Sequence, residues 1–192
     1  MRKAEMTRKT AETEVTALLG LDGTGVRSVE TGIGFLDHML TLFACHGGFD
    51  LRVKATGDLQ VDGHHTTEDV GIVLGKLFAE AIGDKKGIAR YATFYVPMDE
   101  SLARVVIDVS GRPYLKFNAA LSGKIGDFDA ELVQEFFRAF AFNAGLTVHI
   151  DVLDGFNKHH IAEAIFKAFA HALREAVRIT GTEVPSSKGV LE

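Results

Sequence analysis

Gly145-Leu146-Thr147-Val148-His149-Ile150-Asp151-Val152, closed by His159-His160-Ile161-Ala162-Glu163, decides the fold, because the chain writes this passage twice. The earlier writing runs Gly48-Phe49-Asp50-Leu51-Arg52-Val53-Lys54-Ala55 and closes on His64-His65-Thr66-Thr67-Glu68. In each, a glycine stops a helical pattern and apolar and polar residues then alternate, as in a half-buried strand. Two adjacent histidines follow, with a long helical pattern. The interval from glycine to first histidine is 16 residues in one copy and 14 in the other. Upstream, residues 35–43 and 130–143 have helical periodicity, and ten residues before each glycine stand His38 and Glu135. Helix, stop, strand and helix, written twice, predict an α+β (α/β two-layer) fold of two duplicated halves, each a sheet with helices on one face.

Outward from these passages, Val15-Thr16-Ala17-Leu18-Leu19 alternates loosely and meets Leu21-Asp22-Gly23-Thr24-Gly25, so a hairpin is expected there. Residues 91–118 are strand-like, with Ala103-Arg104-Val105-Val106-Ile107-Asp108-Val109 running into the turn Ser110-Gly111-Arg112-Pro113. The helix of the first histidine pair is expected over 66–82, and that of the second from His159 to about Ile179. The pseudo-repeats then cover about 8–90 and 91–182 of a single domain spanning 1–192, with a C-terminal tail beyond.

A chain of 192 residues can bury roughly 70% of its unfolded surface. Its 21 basic and 26 acidic side chains are mixed, without the basic run that nucleic-acid binding requires. Residues 1–13 are polar, and nowhere do about 18 apolar residues run together, so no membrane partner is expected and the location is read as cytoplasmic. Cys45, the one cysteine, lies on an apolar helical pattern and is expected to pack in the core.

Four of the eight histidines sit in the two pairs. An i, i+4 spacing sets His64 beside Glu68 and His159 beside Glu163 on a helix face, and imidazole with carboxylate suits a transition metal. Adjacent helical residues point about 100° apart, so each pair divides between two ions rather than chelating one. The candidate ligands are His38, His64, His65, Glu68, Glu135, His159, His160 and Glu163. Without thiolate they suit Mn²⁺, Fe²⁺ or Zn²⁺, and more than four coordination positions would favour Mn²⁺. Asp37 and Asp69 flank ligands and are candidates for orienting the rings. His149 and His46 are each open to a role at the site, whereas His171, in mid-helix, reads as a surface or partly buried side chain. Ser186-Ser187-Lys188-Gly189, with Arg90, Arg112 and Lys167, suggests a phosphate site.

Phe35-Leu36-Asp37-His38-Met39-Leu40, Gly57-Asp58-Leu59 with His64-His65-Thr66-Thr67-Glu68-Asp69, Ser110-Gly111-Arg112-Pro113-Tyr114, Asn157-Lys158-His159-His160-Ile161-Ala162-Glu163-Ala164-Ile165-Phe166-Lys167 and Pro185-Ser186-Ser187-Lys188-Gly189-Val190-Leu191 together resemble the imidazoleglycerol-phosphate dehydratase family. The match runs from about Arg8 to Leu191 and looks like the single-function form. The resemblance implies a ribosomal protein S5 domain 2-like fold with a four-stranded sheet in each half, assembly of trimers into a 24-subunit shell, active sites between subunits, and two Mn²⁺ per site. It implies dehydration of D-erythro-imidazole-glycerol phosphate to imidazole-acetol phosphate in histidine biosynthesis, through a metal-stabilised imidazolate. It carries over seven of the eight ligands above, His38, His64, His65, Glu68, His159, His160 and Glu163, with His38, Glu68 and Glu163 counted as catalytic, and Glu135 is kept as the eighth because carboxylate can replace imidazole at Mn²⁺. Many relatives have histidine where this chain has Glu135. Glu12 matches a glutamate that contacts substrate and is the candidate for proton transfer at the diol, with a metal-bound water or hydroxyl as the competing base. Arg90, Arg112, Lys167, Ser186 and Lys188, with Ser187 between, match the phosphate-binding set, and Leu42 stands where some relatives use glutamine.

Overall fold

In β4 (Asp50–Gly57), Leu51, Val53 and Ala55 turn inward and Arg52, Lys54 and Thr56 outward, the period-2 alternation that lets one face of a sheet bury. The computed structural model describes residues 2–191. The first half runs β1 (Lys3–Lys9), β2 (Thr13–Gly20), β3 (Arg27–Glu30), α1 (Gly34–Gly47), β4 and α2 (His64–Ile82). The second runs β5 (Tyr91–Met98), β6 (Ser101–Asp108), β7 (Tyr114–Asn118), β8 (Lys124–Ile125), β9 (Phe128–Asp129), α3 (Leu132–Ala144), β10 (Thr147–Asp154) and α4 (Lys158–Ala176). The sheets are ordered β1-β2-β4-β3 and β5-β6-β10-β7, and in each only the last pair is parallel. The expected fold of two duplicated four-stranded halves is the one observed.

The glycines that end the first helix of each half do so for one reason. Gly48 and Gly145 sit at φ 65° and 66° in the left-handed region, where a side chain is strained, and return their N–H groups to carbonyls of the last helical turn. The paired histidines lie in the first turn of α2 and α4. Asn157 caps α4 by accepting the His159 and His160 N–H groups, and Asp62 accepts that of His64.

Across the halves α1 packs on α4 and α2 on α3, so the helices share one core with a sheet on either side. Phe43, Phe136, Phe137, Phe140, Phe166 and Phe169 interlock there in tilted and edge-on pairs. Gly71 and Gly75 let α2 touch the backbone of α3: a Cβ at either would stand 2.8 Å from Phe136 O or 2.5 Å from Phe140 O. The tail folds back along the α2–β5 connection, with Gly87 N–H donating to Glu183 O, Arg90 to Pro185 O and Lys85 Nζ to Leu191 O.

Three expectations change. The N-terminal hairpin turns at residues 10–12, between β1 and β2, and residues 21–25 instead carry the chain past β4 to β3, because β4 inserts between β2 and β3. The hairpin β8–β9, between β7 and α3, has no counterpart in the first half, and no periodicity announces strands two residues long. Cys45 is exposed rather than packed, since Ala44 and Met39 take the inward positions of α1. No helix among the described residues is long and apolar enough to cross a membrane.

Candidate active site

Three side chains from two helices meet at Glu163. His38 Nε2 on α1 lies 2.8 Å, and His159 Nε2 on α4 3.0 Å, from Glu163 Oε1, while Lys167 Nζ holds Oε2 at 2.5 Å. The three ligand atoms lie within 4.8 Å of one another, so one divalent ion with bonds of about 2.1 Å would draw all three with little movement. Burial pushes the Glu163 carboxyl upward, but the hydrogen bonds from Lys167, His38 and His159 outweigh it and hold it down at about 2. The cluster keeps a charged, acceptor-only oxygen between two imidazoles, a donor set that can coordinate a metal ion. Beside it opens a cavity of about 750 Å³, with His38 and His159 on its wall and Ile33, Phe35, Leu59 and Phe128 supplying apolar surface.

The second histidine of each pair faces elsewhere. The rings of His64 and His65 lie 6.3 Å apart at 84°, and those of His159 and His160 repeat both values. His65 Nδ1 meets Asp58 Oδ2 at 2.9 Å, and His160 Nδ1 meets Glu100 Oε2 at 2.8 Å. A carboxylate on Nδ1 fixes the ring and leaves Nε2 as the ligand atom. The same bonds raise the pKa of both imidazoles and hold the Glu100 carboxyl at about 2, helped by the Asn157 N–H. Glu12, in the β1–β2 turn, brings Oε2 to 3.9 Å from His65 Nδ1. Glu68 and Glu135 converge on Arg138 rather than on a histidine, and His64 has the His65 ring as its aromatic neighbour.

The cationic residues fall into two groups. Arg90 pairs with Asp108 at 2.8 Å, donates to Pro185 O, and lies with Arg112 and the Ser186–Lys188 segment around the start of β5. Lys167 instead donates to Met98, the last residue of β5, and to Glu163. Met98 lies eight residues along an extended chain from Arg90, roughly 25 Å.

Asp37 and Asp69 do not orient rings. Asp37 accepts from the Thr31 N–H and hydroxyl, closing the β3–α1 turn, and Asp69 is taken by Arg8 and the Thr13 hydroxyl beneath the β1–β2 turn. His149 lies on the outer face of β10 beside Tyr114, away from both clusters. His46 packs edge-on against His171, which stacks on Phe94 at 4.4 Å, and burial lowers both imidazoles. Sequence reasoning missed Asp58, Glu100 and Arg138. Glu100 carried a signal: it occupies the β5–β6 turn as Glu12 occupies the β1–β2 turn, so the duplication that singled out Glu135 singled it out as well.

Comparison with known proteins bears on the whole chain. The model of the imidazoleglycerol-phosphate dehydratase (IGPD) family matches residues 31–173. Proteins of that name from Methylorubrum extorquens and Caldanaerobacter subterraneus are 58% and 59% identical, with both chains of each pair covered in full. The structure is similar to the crystal structure of imidazoleglycerol-phosphate dehydratase from Staphylococcus aureus (TM-score 0.84, 52% identity, covering 94% of this chain and 99% of that one). It is also similar to IGPD from Pyrococcus furiosus solved with (S)-C348 (TM-score 0.83, 38% identity, 97% and 100% covered). A doubled four-stranded fold carrying a His–His–Glu cluster, matched along its length by these relatives, belongs to the imidazoleglycerol-phosphate dehydratase family of carbon–oxygen lyases in histidine biosynthesis.

Proposed function

We propose that the chain dehydrates D-erythro-imidazole-glycerol phosphate to imidazole-acetol phosphate with two Mn²⁺ per active site, each site shared between copies of the chain. The observation that carries this reading is the convergence of His38 and His159 on one oxygen of Glu163, with Lys167 on the other. The eight ligands are His38, His159 and Glu163; Glu135, His64 and Glu68; and His65 and His160, whose Nε2 atoms are left for ions by Asp58 and Glu100.

Loss of water takes the hydroxyl from C3, beside the ring, and the hydrogen from C2, which is not beside a carbonyl, so the imidazole ring must supply the electrons that expel the hydroxyl and take up those of the C2–H bond. Metal ions held by these side chains would supply Lewis acidity. Everything else falls to side chains. Glu12, half exposed at the β1–β2 turn, transfers protons at the diol. Arg90, Arg112, Ser186, Ser187 and Lys188 hold the phosphate and Lys167 joins them from the ring side, so remote binding energy orients the reacting carbons. Because Arg90 and Lys167 lie at opposite ends of β5 in one chain, a small substrate touching both must lie between chains. Assembly into trimers and then a 24-subunit shell would supply that boundary, and the exposed Tyr91, Tyr95, Tyr114 and Leu153 on the outer face of the second sheet are apolar surface suited to burial in it. On this reading residues 1–192 form one catalytic domain, two pseudo-repeats with the tail as a substrate-binding element.

A product assay tests the reading: protein stripped with a chelator makes no imidazole-acetol phosphate, and Mn²⁺ restores turnover. Undiminished turnover in metal-free protein would count against it.

A further inference from the structure

The duplication allows the two carboxylate clusters to be compared position by position. Counted from the capping glycines, His38 on α1 and Glu135 on α3 correspond; counted from the histidine pairs, Glu163 and Glu68 correspond. Around Glu163 the labour is divided: both imidazoles share Oε1 and the cation Lys167 takes Oε2. Around Glu68 and Glu135 it is not. Arg138, one turn beyond Glu135 on α3, places Nε 2.8 Å from Glu135 Oε2 and Nη2 2.7 Å from both Glu135 Oε2 and Glu68 Oε1. One guanidinium thus bridges both carboxylates. Seven residues before each capping glycine stand Thr41 and Arg138, so the first cluster has no such cation on its own α1.

We infer that Arg138 competes with a divalent cation for Glu68 and Glu135, so that the two ions of the proposed function bind unequally and the His38–His159–Glu163 position fills first. The inference rests on the two-ion reading above. A guanidinium cannot relieve the competition by losing its proton, so it must swing away, and its planar fork must give up its charge-assisted hydrogen bonds to both carboxylates. The swing is available, since the Arg138 side chain is 46% exposed and Glu68 and Glu135 are 31% and 27% exposed. Lys167 imposes no comparable barrier, because it holds the Glu163 oxygen that the imidazoles do not share. Arg138 is in this sense a positioning residue: it sets the order and relative strength of metal binding without touching substrate.

Titration of metal-stripped, full-length protein with Mn²⁺, followed by the electron paramagnetic resonance signal of the free ion, tests this. The wild type should bind in a stronger and a weaker class. Arg138→Gln should tighten the weaker class by about fivefold, the upper scale of a lost ionic bridge at a part-exposed site, and leave the stronger class unchanged. Glu135→Gln should loosen the weaker class alone, and Glu163→Gln the stronger, which assigns each. If circular dichroism finds Arg138→Gln unfolded, Arg138→Lys, which keeps the charge without the fork, should still tighten the weaker class. Equal classes in the wild type, or a weaker class that neither Arg138 variant moves, would overturn the inference and leave the metal-enzyme reading standing. A wild type that binds no Mn²⁺ would overturn both.

Discussion

At the scale of single residues, the site is built by carboxylates that decide what each imidazole can do. Asp58 and Glu100 engage Nδ1 of His65 and His160, while Glu163 receives Nε2 of His38 and His159. If the first two act by orienting rings, Asp58→Asn and Glu100→Gln should each weaken Mn²⁺ binding by about 10- to 100-fold with little change in helix content, measured by metal titration alongside circular dichroism. Glu163 makes a second, pH-dependent demand on the metal-free protein. Its carboxyl is held at about 2 against an ordinary 4.5, so a depressed folded-state value contributes stability that is complete above the unfolded pKa and is lost as pH falls toward the folded one. Thermal unfolding of wild type and Glu163→Gln should therefore differ by a constant amount near neutrality, and the gap should close between about pH 4.5 and 2. A gap that widens in that window would assign the stabilisation to some other group.

At the scale of elements, the junction of α2 and α3 depends on two absent side chains. Gly71 and Gly75 stand one turn apart on α2, and a Cβ at the second would sit 2.5 Å from Phe140 O and 2.9 Å from the Asn143 Cβ. Alanine there gains about 1 kcal/mol of helix propensity but forces helices apart that carry Glu68 and Glu135. Gly75→Ala should lower the melting temperature, by an overpacking cost of about 1–3 kcal/mol, and loosen Mn²⁺ binding at the Glu68–Glu135 position. Much of this architecture was legible beforehand. The glycine stops, the alternation of β4 and β10 and the periodicity of all four helices follow from backbone geometry and burial that act within a few residues. The hairpin at residues 10–12 was misplaced because strand order, not local turn chemistry, sends residues 21–25 past β4. The bridge at Arg138 was only half local: Glu135 stands one turn away on α3, but Glu68 comes from α2, and only packing across the halves brings it to the same guanidinium. Asp69, plausible from its place beside Glu68, turned out to secure the β1–β2 turn through Arg8 and Thr13, a contact between residues far apart in the chain.

At the scale of the whole molecule, one chain holds the two groups of the proposed site apart. The His38–His159–Glu163 cluster and Lys167 stand at one end of β5, and Arg90, Arg112 and the returning tail at the other. The proposed site therefore requires a boundary between copies, across which the end of one chain proposed to bind the ring meets the end of its neighbour proposed to bind the phosphate. His159→Ala removes a proposed ligand from the first end and Arg90→Ala a proposed phosphate contact from the second, so each variant assembled alone should be inactive. The most direct measurement is dehydratase activity after the two inactive proteins are unfolded, mixed in equal amounts and reassembled with Mn²⁺. Sites that draw on two chains predict that activity returns, at up to about one site in four, the fraction in which both intact ends meet at random. A mixture as inactive as its parents, with assembled particles of both variants present, would contradict a site shared between chains.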